Sequence, residues 1–204
     1  MAAGKSVVGE MFVKLGAHLI QADQISHQLM QPGEPVYLEV VRHFGEGILN
    51  PDRTVSRPKL AEAAFGGRIQ ELNKMVHPAV IQEQNNWMER VGERDPHAVA
   101  IVEAALILEA GFQEDLDRLI VVTCRPEQRV QRWAQRMNVD LEAAAREVTR
   151  RMAAQLSDEE KIKAADYVID NSGSLDETQE QVRQTYTLLK QEAWLGRKPL
   201  PDAN

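Results

Sequence analysis

The chain has 204 residues, 43% apolar and 27% charged, enough to bury a sizeable core in one globular domain with room for an inserted subdomain. A formal net charge of −7 and an isoelectric point near 5.3 argue against a protein that holds nucleic acid chiefly by neutralising phosphates, and leave a small anionic ligand open. With Cys124 as its single cysteine there is no internal disulfide, no apolar run approaches the roughly 20 residues that span a bilayer, and the short amphipathic start lacks a secretory cleavage pattern. The expected compartment is the cytoplasm, without a membrane or nucleic-acid partner.

In chain order, Gly4-Lys5-Ser6 comes first and leads into "SVVGEMFVKLGA", which reads as a helix. Gly-Lys-Ser ends the phosphate-binding pattern G-x-x-x-x-G-K-[ST], whose leading glycine would fall before Met1. In such a loop, backbone N–H groups wrap the phosphates, the lysine neutralises their charge and the hydroxyl binds Mg²⁺ at a helix N-terminus. Alone, the tripeptide also fits a helix cap at Ser6 beside a solvated Lys5, the commoner reading of an isolated match. "AHLIQAD" then reads as a short buried strand ending at Asp23, which is equally an N-cap for the helix "QISHQLM".

From about Pro35 to Glu93 no strand is expected. Helical patterns run through "PVYLEVVRHF", "RPKLAEAAF" and "RIQELNKMVHPAVIQEQNNWMERV", with Ser56 and Pro58 as N-cap and first-turn residue. His77 before Pro78 has the look of a helix boundary. Strands return in "HAVAIVEAALI" and "RLIVVTCRPEQ", the latter carrying Cys124 as a strand-end core residue, and again in "DYVIDNSGS". Between these last two lie the helices "PEQRVQRWAQRM" and "VDLEAAAREVTRRMAAQ" and a capping box at Ser157 and Glu160. A final helix spans about Leu175 to Trp194, and the closing "GRKPLPDAN" is expected to fray. Strands alternating with crossover helices predict an α/β fold on a parallel sheet. His18, His27, His43 and His97 show no metal-ligand spacing. Arg132 and Arg136, four apart on one helix face, fit a solvated stripe, and Asp170-Asn171-Ser172-Gly173 fits a turn.

Four stretches in succession carry more than these local readings: "AGKSVVGEMFVKLGAHLIQADQISHQLMQPGEPVY", "HFGEGILNPDRTVSRPKLAEAAF", "HPAVIQEQ" and "KIKAADYVIDNSGSL". Together they resemble bacterial dephospho-coenzyme A kinase over almost the whole chain after Gly4. The resemblance implies one P-loop kinase domain over 1–204, of three layers with a parallel sheet. Within it, about 35–93 would form a helical coenzyme A insertion and about 126–156 a helical lid. It implies ATP and Mg²⁺ as cofactors and dephospho-CoA as a small-molecule partner of a monomer or weak oligomer. Gly4, Lys5 and Ser6 would end the ATP loop, and Asp23, closing the family's "D-A-D" signature, would be the carboxylate beside the acceptor hydroxyl. His77 would be the substrate-contacting member of the "HP" pair. Arg132 and Arg136 would be lid arginines reaching ATP phosphates, Arg132 counted with Asp23 and Lys5 as catalytic. Asp170, Asn171 and Gly173 would match the "D-N-x-G" loop near adenine, and Ser6 with Glu103 would hold the metal.

The chain departs from the family where Gln21 replaces the first aspartate of "D-A-D", Ala105 stands for the usual proline after Glu103, and Met137 replaces a frequent aspartate. The family's first strand and loop front also have no counterpart from Met1 on. The expectation is therefore that these residues alone fold poorly or bind ATP weakly, and that the functional chain carries about ten more as a β-branched strand and glycine-rich turn. Another small-molecule P-loop kinase and a catalytically impaired homologue remain as alternatives.

Overall fold

The computed structural model describes residues 2–65 and 67–196; most of the tail expected to fray, 197–204, lies outside them. The first elements are α1 (Lys5–Lys14), β1 (His18–Gln21), α2 (Ala22–Leu29), α3 (Pro35–Phe44), α4 (Arg57–Ala63) and α5 (Ile69–Arg94). After them come β2 (Ala100–Glu103), β3 (Ile120–Thr123), α6 (Pro126–Met137), α7 (Leu141–Ala153), α8 (Asp158–Ala164), β4 (Tyr167–Asp170) and α9 (Leu175–Leu195). All four strands fall inside the stretches expected to form them. The chain divides into two compact units, 1–19 with 94–204 and 20–93.

In the first unit, α1 and α9 share one apolar cluster with the strands. Val8, Phe12, Ala17, Val99, Ile169 and Val182 are buried there, with Ile101, Ile120, Val122 and Tyr186 packed against them. β2, β3 and β4 are short runs rich in Val and Ile, as suits a parallel α/β sheet. β3 and β4 pair in parallel, from Ile120 opposite Tyr167 to Thr123 opposite Asp170. β2 pairs with β1, and His18 N–H donates to the Val99 carbonyl at 2.8 Å. The strands thus pair two by two. Among the described residues no ladder joins β2 to β3, although both contribute to the same apolar cluster.

Helix ends follow the capping signals. Ser157 and Glu160 form the expected box at α8, and Ser174 and Glu177 form a second at α9. The α6–α7 hairpin has a small core of its own, in which Trp133, Ala134, Ala144 and Val148 are buried and Val130 and Met152 are packed alongside. Arg151 lays its guanidinium 4.8 Å from the centre of the Trp133 ring.

The second unit is helical around Ile25, Val36, Tyr37, Val40, Ile48, Leu49, Leu60, Val76 and Val80. It also holds an isolated antiparallel bridge between Leu49 and Val55. Ser56 is the N-cap of α4, but its side chain makes no capping bond. α5 runs straight through Pro78, so His77 lies within a helix rather than at its boundary. The absent proline N–H removes one helical hydrogen bond there, and the Val76 and Val80 anchors on either side offset that loss.

Candidate functional site

At the start of α1 the backbone turns into the helix through Gly4, which is the N-cap with φ of 96°. This is the left-handed region, where a side chain is strained. Here it would also collide with the buried Asn171 amide. Ser6 is therefore the second residue of α1 and not its cap, which corrects the simpler reading of that residue. No acidic residue occupies the first turn, and the helix dipole at this end favours an anion. Lys5 begins the helix beside it.

Ser6 and Glu103 meet. The Ser6 hydroxyl donates to Glu103 Oε1 at 2.8 Å, with Glu103 at the carboxyl end of β2. Ligands of open α/β sheets bind at that end of the strands. Gly9, one turn along α1, is buried, and a Cβ placed there would press on Leu19 at 3.0 Å and come within 3.8 Å of Glu103 Oε2. Its lack of a side chain lets α1 approach the strands closely enough for Ser6 to reach the carboxylate. A hydroxyl and a carboxylate suit a hard divalent cation such as Mg²⁺, which keeps several waters and needs only one or two protein oxygens. Among the described residues no group of three or more His, Cys, Asp or Glu gathers to hold a metal by protein ligands alone.

The Asp170–Gly173 loop follows β4. Asp170 Oδ1 accepts from Ser172 N–H at 3.0 Å, and Gln181 of α9 bonds both the N–H and the carbonyl of Asp170, each at 2.9 Å. Arg125 Nη2 and Gln128 Nε2 both donate to the Ser172 carbonyl, at 3.1 and 2.9 Å. The Asn171 side chain is 4% exposed: its Nδ2 donates to the Ala3 carbonyl at 2.8 Å and its Oδ1 accepts from Thr178 Oγ1 at 3.1 Å. Arg132 reaches the same place from α6, donating to the Ala3 carbonyl at 3.1 Å and the Asn171 carbonyl at 3.0 Å. Arg136 lies one turn further along α6 and is exposed.

Gly4, Lys5, Ser6, Glu103, Arg132, Asn171 and the loop to Gly173 thus belong to one unit, around the start of α1 and the ends of β2 and β4. Asp23 and His77 belong to the other unit. Asp23 is exposed as the second residue of α2, where Gln21 is the N-cap, so the capping reading of Asp23 is also corrected. His77 is half-buried on α5, whose Val76 and Val80 share the core that holds Ile25 of α2, and burial pushes its pKa down. The sequence reading missed Thr178 and Gln181. Thr178, buried on α9 in line with Val182 and Thr185, could have been found as a polar residue on the helix's inward stripe. It also missed Glu109, whose carboxylate accepts from Leu156 N–H at 3.0 Å and pairs with Lys161 at 3.1 Å. Burial pushes this carboxyl up, but backbone N–H groups and Lys161 outweigh it and hold the pKa below its ordinary value.

A glycine-lysine-serine helix start at the carboxyl ends of parallel strands, with arginines arriving from a helical hairpin, defines an ATP-dependent transferase of the P-loop kinase class. The family model for "CoaE: Dephospho-CoA kinase" matches residues 1–177. A dephospho-CoA kinase of Aquifex aeolicus is 38% identical over 185 residues, 90% of this chain and 90% of the relative. That of Leifsonia xyli subsp. xyli is 35% identical over 184 residues, 89% of this chain and 91% of the relative. Among solved structures, TT1252 from Thermus thermophilus superposes with a TM-score of 0.76 at 27% identity, covering 92% of each chain. Dephospho-CoA kinase from Campylobacter jejuni gives 0.67 at 25% identity, covering 94% of each. The chain belongs to the dephospho-CoA kinase family.

Proposed function

We propose that this protein transfers the γ-phosphate of ATP to the ribose 3′-hydroxyl of dephospho-CoA, giving coenzyme A and ADP. The observation that carries this reading is the Ser6–Glu103 contact of 2.8 Å at the start of an α-helix that opens with Gly4 and Lys5. Phosphoryl transfer asks for positioning and charge stabilisation more than covalent chemistry. Lys5 neutralises the transferring phosphate, joined by Arg132 and Arg136 from α6. The Asp170–Gly173 loop borders the adenine. Ser6 and Glu103 would hold Mg²⁺, which would supply positive charge to offset that of the phosphates. Asp23 orients the acceptor hydroxyl and accepts its proton, and His77 touches the same substrate.

The helical stretch 35–93 serves as the coenzyme A insertion and 126–156 as the lid of a single kinase domain. The enzyme works as a monomer or weak oligomer in the cytoplasm, where the buried, unpaired Cys124 stays reduced. The test is to incubate the purified protein with Mg-ATP and a panel of acceptors, namely dephospho-CoA, AMP, adenosine and pantothenate, and to follow ADP and phosphorylated product. Formation of coenzyme A from dephospho-CoA at least a hundredfold faster than any other product is the expected result. Preference for another acceptor would replace the substrate while keeping the kinase.

A further inference from the structure

The "D-N-x-G" loop was expected to serve a nucleotide directly, yet the Asn171 side chain turns inward. It is 4% exposed, and both ends of its amide are engaged, with Nδ2 on the Ala3 carbonyl and Oδ1 on Thr178 Oγ1. The Ala3 carbonyl accepts a second bond from Arg132 Nη1, and the other arm of that guanidinium takes the Asn171 carbonyl. Asn171 N–H in turn donates to the Thr123 carbonyl at 2.9 Å, which fixes the loop to the end of β3. Ala3 itself is 4% exposed. One carbonyl immediately before Gly4 therefore receives donors from α6 and from the loop after β4, and Thr178 of α9 holds the second donor in register.

Thr178 is wholly buried, and its hydroxyl has a single proton, shared between Asn171 Oδ1 and the Ser174 carbonyl at 3.1 Å each. A carbonyl held from two sides cannot rotate without breaking both bonds. The Ala3–Gly4 peptide sets which way the following N–H groups of α1 point, because Gly4 alone carries the chain into the helix at φ of 96°.

We propose that Asn171, held by Thr178 and joined by Arg132, is a positioning residue for phosphate binding: it pins the Ala3 carbonyl so that the N–H groups at the start of α1 are preset toward an anion. This rests on the ATP reading given above, and it assigns the Asn171 side chain to the loop rather than to adenine. A carboxylate of equal size cannot donate to Ala3, so Asn171→Asp removes the pin without opening a cavity.

The experiment titrates wild type and Asn171→Asp with a non-hydrolysable ATP analogue by calorimetry and with adenosine by ligand-observed NMR, and measures hydrogen exchange over residues 2–8 without ligand. The expected result is a loss of roughly ten- to hundredfold in analogue affinity, the range for one lost bond to a buried group, with adenosine affinity unchanged. Exchange over residues 2–8 should be several-fold faster. Thr178→Val should shift both readouts in the same direction by less, and Thr178→Ser should restore them, which a general packing defect would not do. Equal losses for the analogue and adenosine would put Asn171 at the base and overturn the proposal, as would unchanged exchange over residues 2–8. If wild type failed to bind the analogue at all, the ATP reading would fall, while the exchange comparison would still decide whether the pin exists.

Discussion

Two residues carry the sharpest tests. Asp23 is exposed in the first turn of α2 and does not cap the helix, so its carboxylate is available for chemistry. Asp23→Asn should leave ATP binding nearly intact while lowering turnover by roughly 10² to 10⁴, the range for a lost general base. Turnover within a few-fold of wild type in a steady-state assay would leave Asp23 without a part in proton transfer. Gly4 is constrained twice over, by a left-handed backbone and by the amide of Asn171 where a Cβ would stand. Gly4→Ala should cost about 1 to 3 kcal/mol from the backbone alone and more from displacing Asn171. Thermal melts should fall accordingly, and the stabilisation conferred by Mg-ATP should shrink more than the melting temperature itself.

At the scale of elements, the α6–α7 hairpin is joined to α8 by Arg129, which is 3% exposed, with Nη2 2.5 Å from Asp158 and Nη1 3.8 Å from Met152 Sδ. Its buried Nε has no hydrogen-bond partner among the described residues. A buried ion pair stabilises less than its geometry implies, because both charges are first stripped of water. Asp158→Ala should destabilise the protein by about 1 to 3 kcal/mol, whereas Arg129→Met should be near neutral, an asymmetry that chemical denaturation of the two variants would reveal or refute. On α7, hydrogen bonds from Arg150 and then Arg151 hold the Glu147 carboxyl at about 2, against its ordinary 4.5. A depressed carboxylate contributes stability that is complete above its unfolded value and is lost as pH falls toward the folded one. Glu147→Gln should therefore remove that contribution at neutral pH, small because the pair is solvated, and flatten the acid transition between 4.5 and about 2 by the same amount, read as helix signal against pH.

Much of this level was legible in advance. "PVYLEVVRHF" and "PEQRVQRWAQRM" coincide with α3 and α6 to the residue, because a proline opens each and an apolar stripe recurs at helical spacing. The capping box at Ser157 was visible while the identical one at Ser174 passed unread. Where Asn171 would spend its hydrogen bonds could not be read, since Ala3, Thr178 and Arg132 are brought to it only by tertiary packing.

For the molecule as a whole, the helical core around Tyr37 and the strand-bearing core around Phe12 are separate clusters, each anchored by residues the apolar pattern marks. The pairing of strands two by two was not legible, because which backbone meets which depends on segments far apart in sequence. That pairing has a consequence for handling the protein. Each of the four strands has a single ladder neighbour among the described residues, which leaves one row of backbone donors and acceptors on each without a ladder partner. Such rows template strand addition between molecules. Self-association should thus rise steeply with concentration on mild warming, seen as light scattering and a growing β signal well below the melting temperature. A short β-branched peptide added in excess should compete with it, and scattering that neither depended on concentration nor yielded to the peptide would show that these edges are not where molecules join.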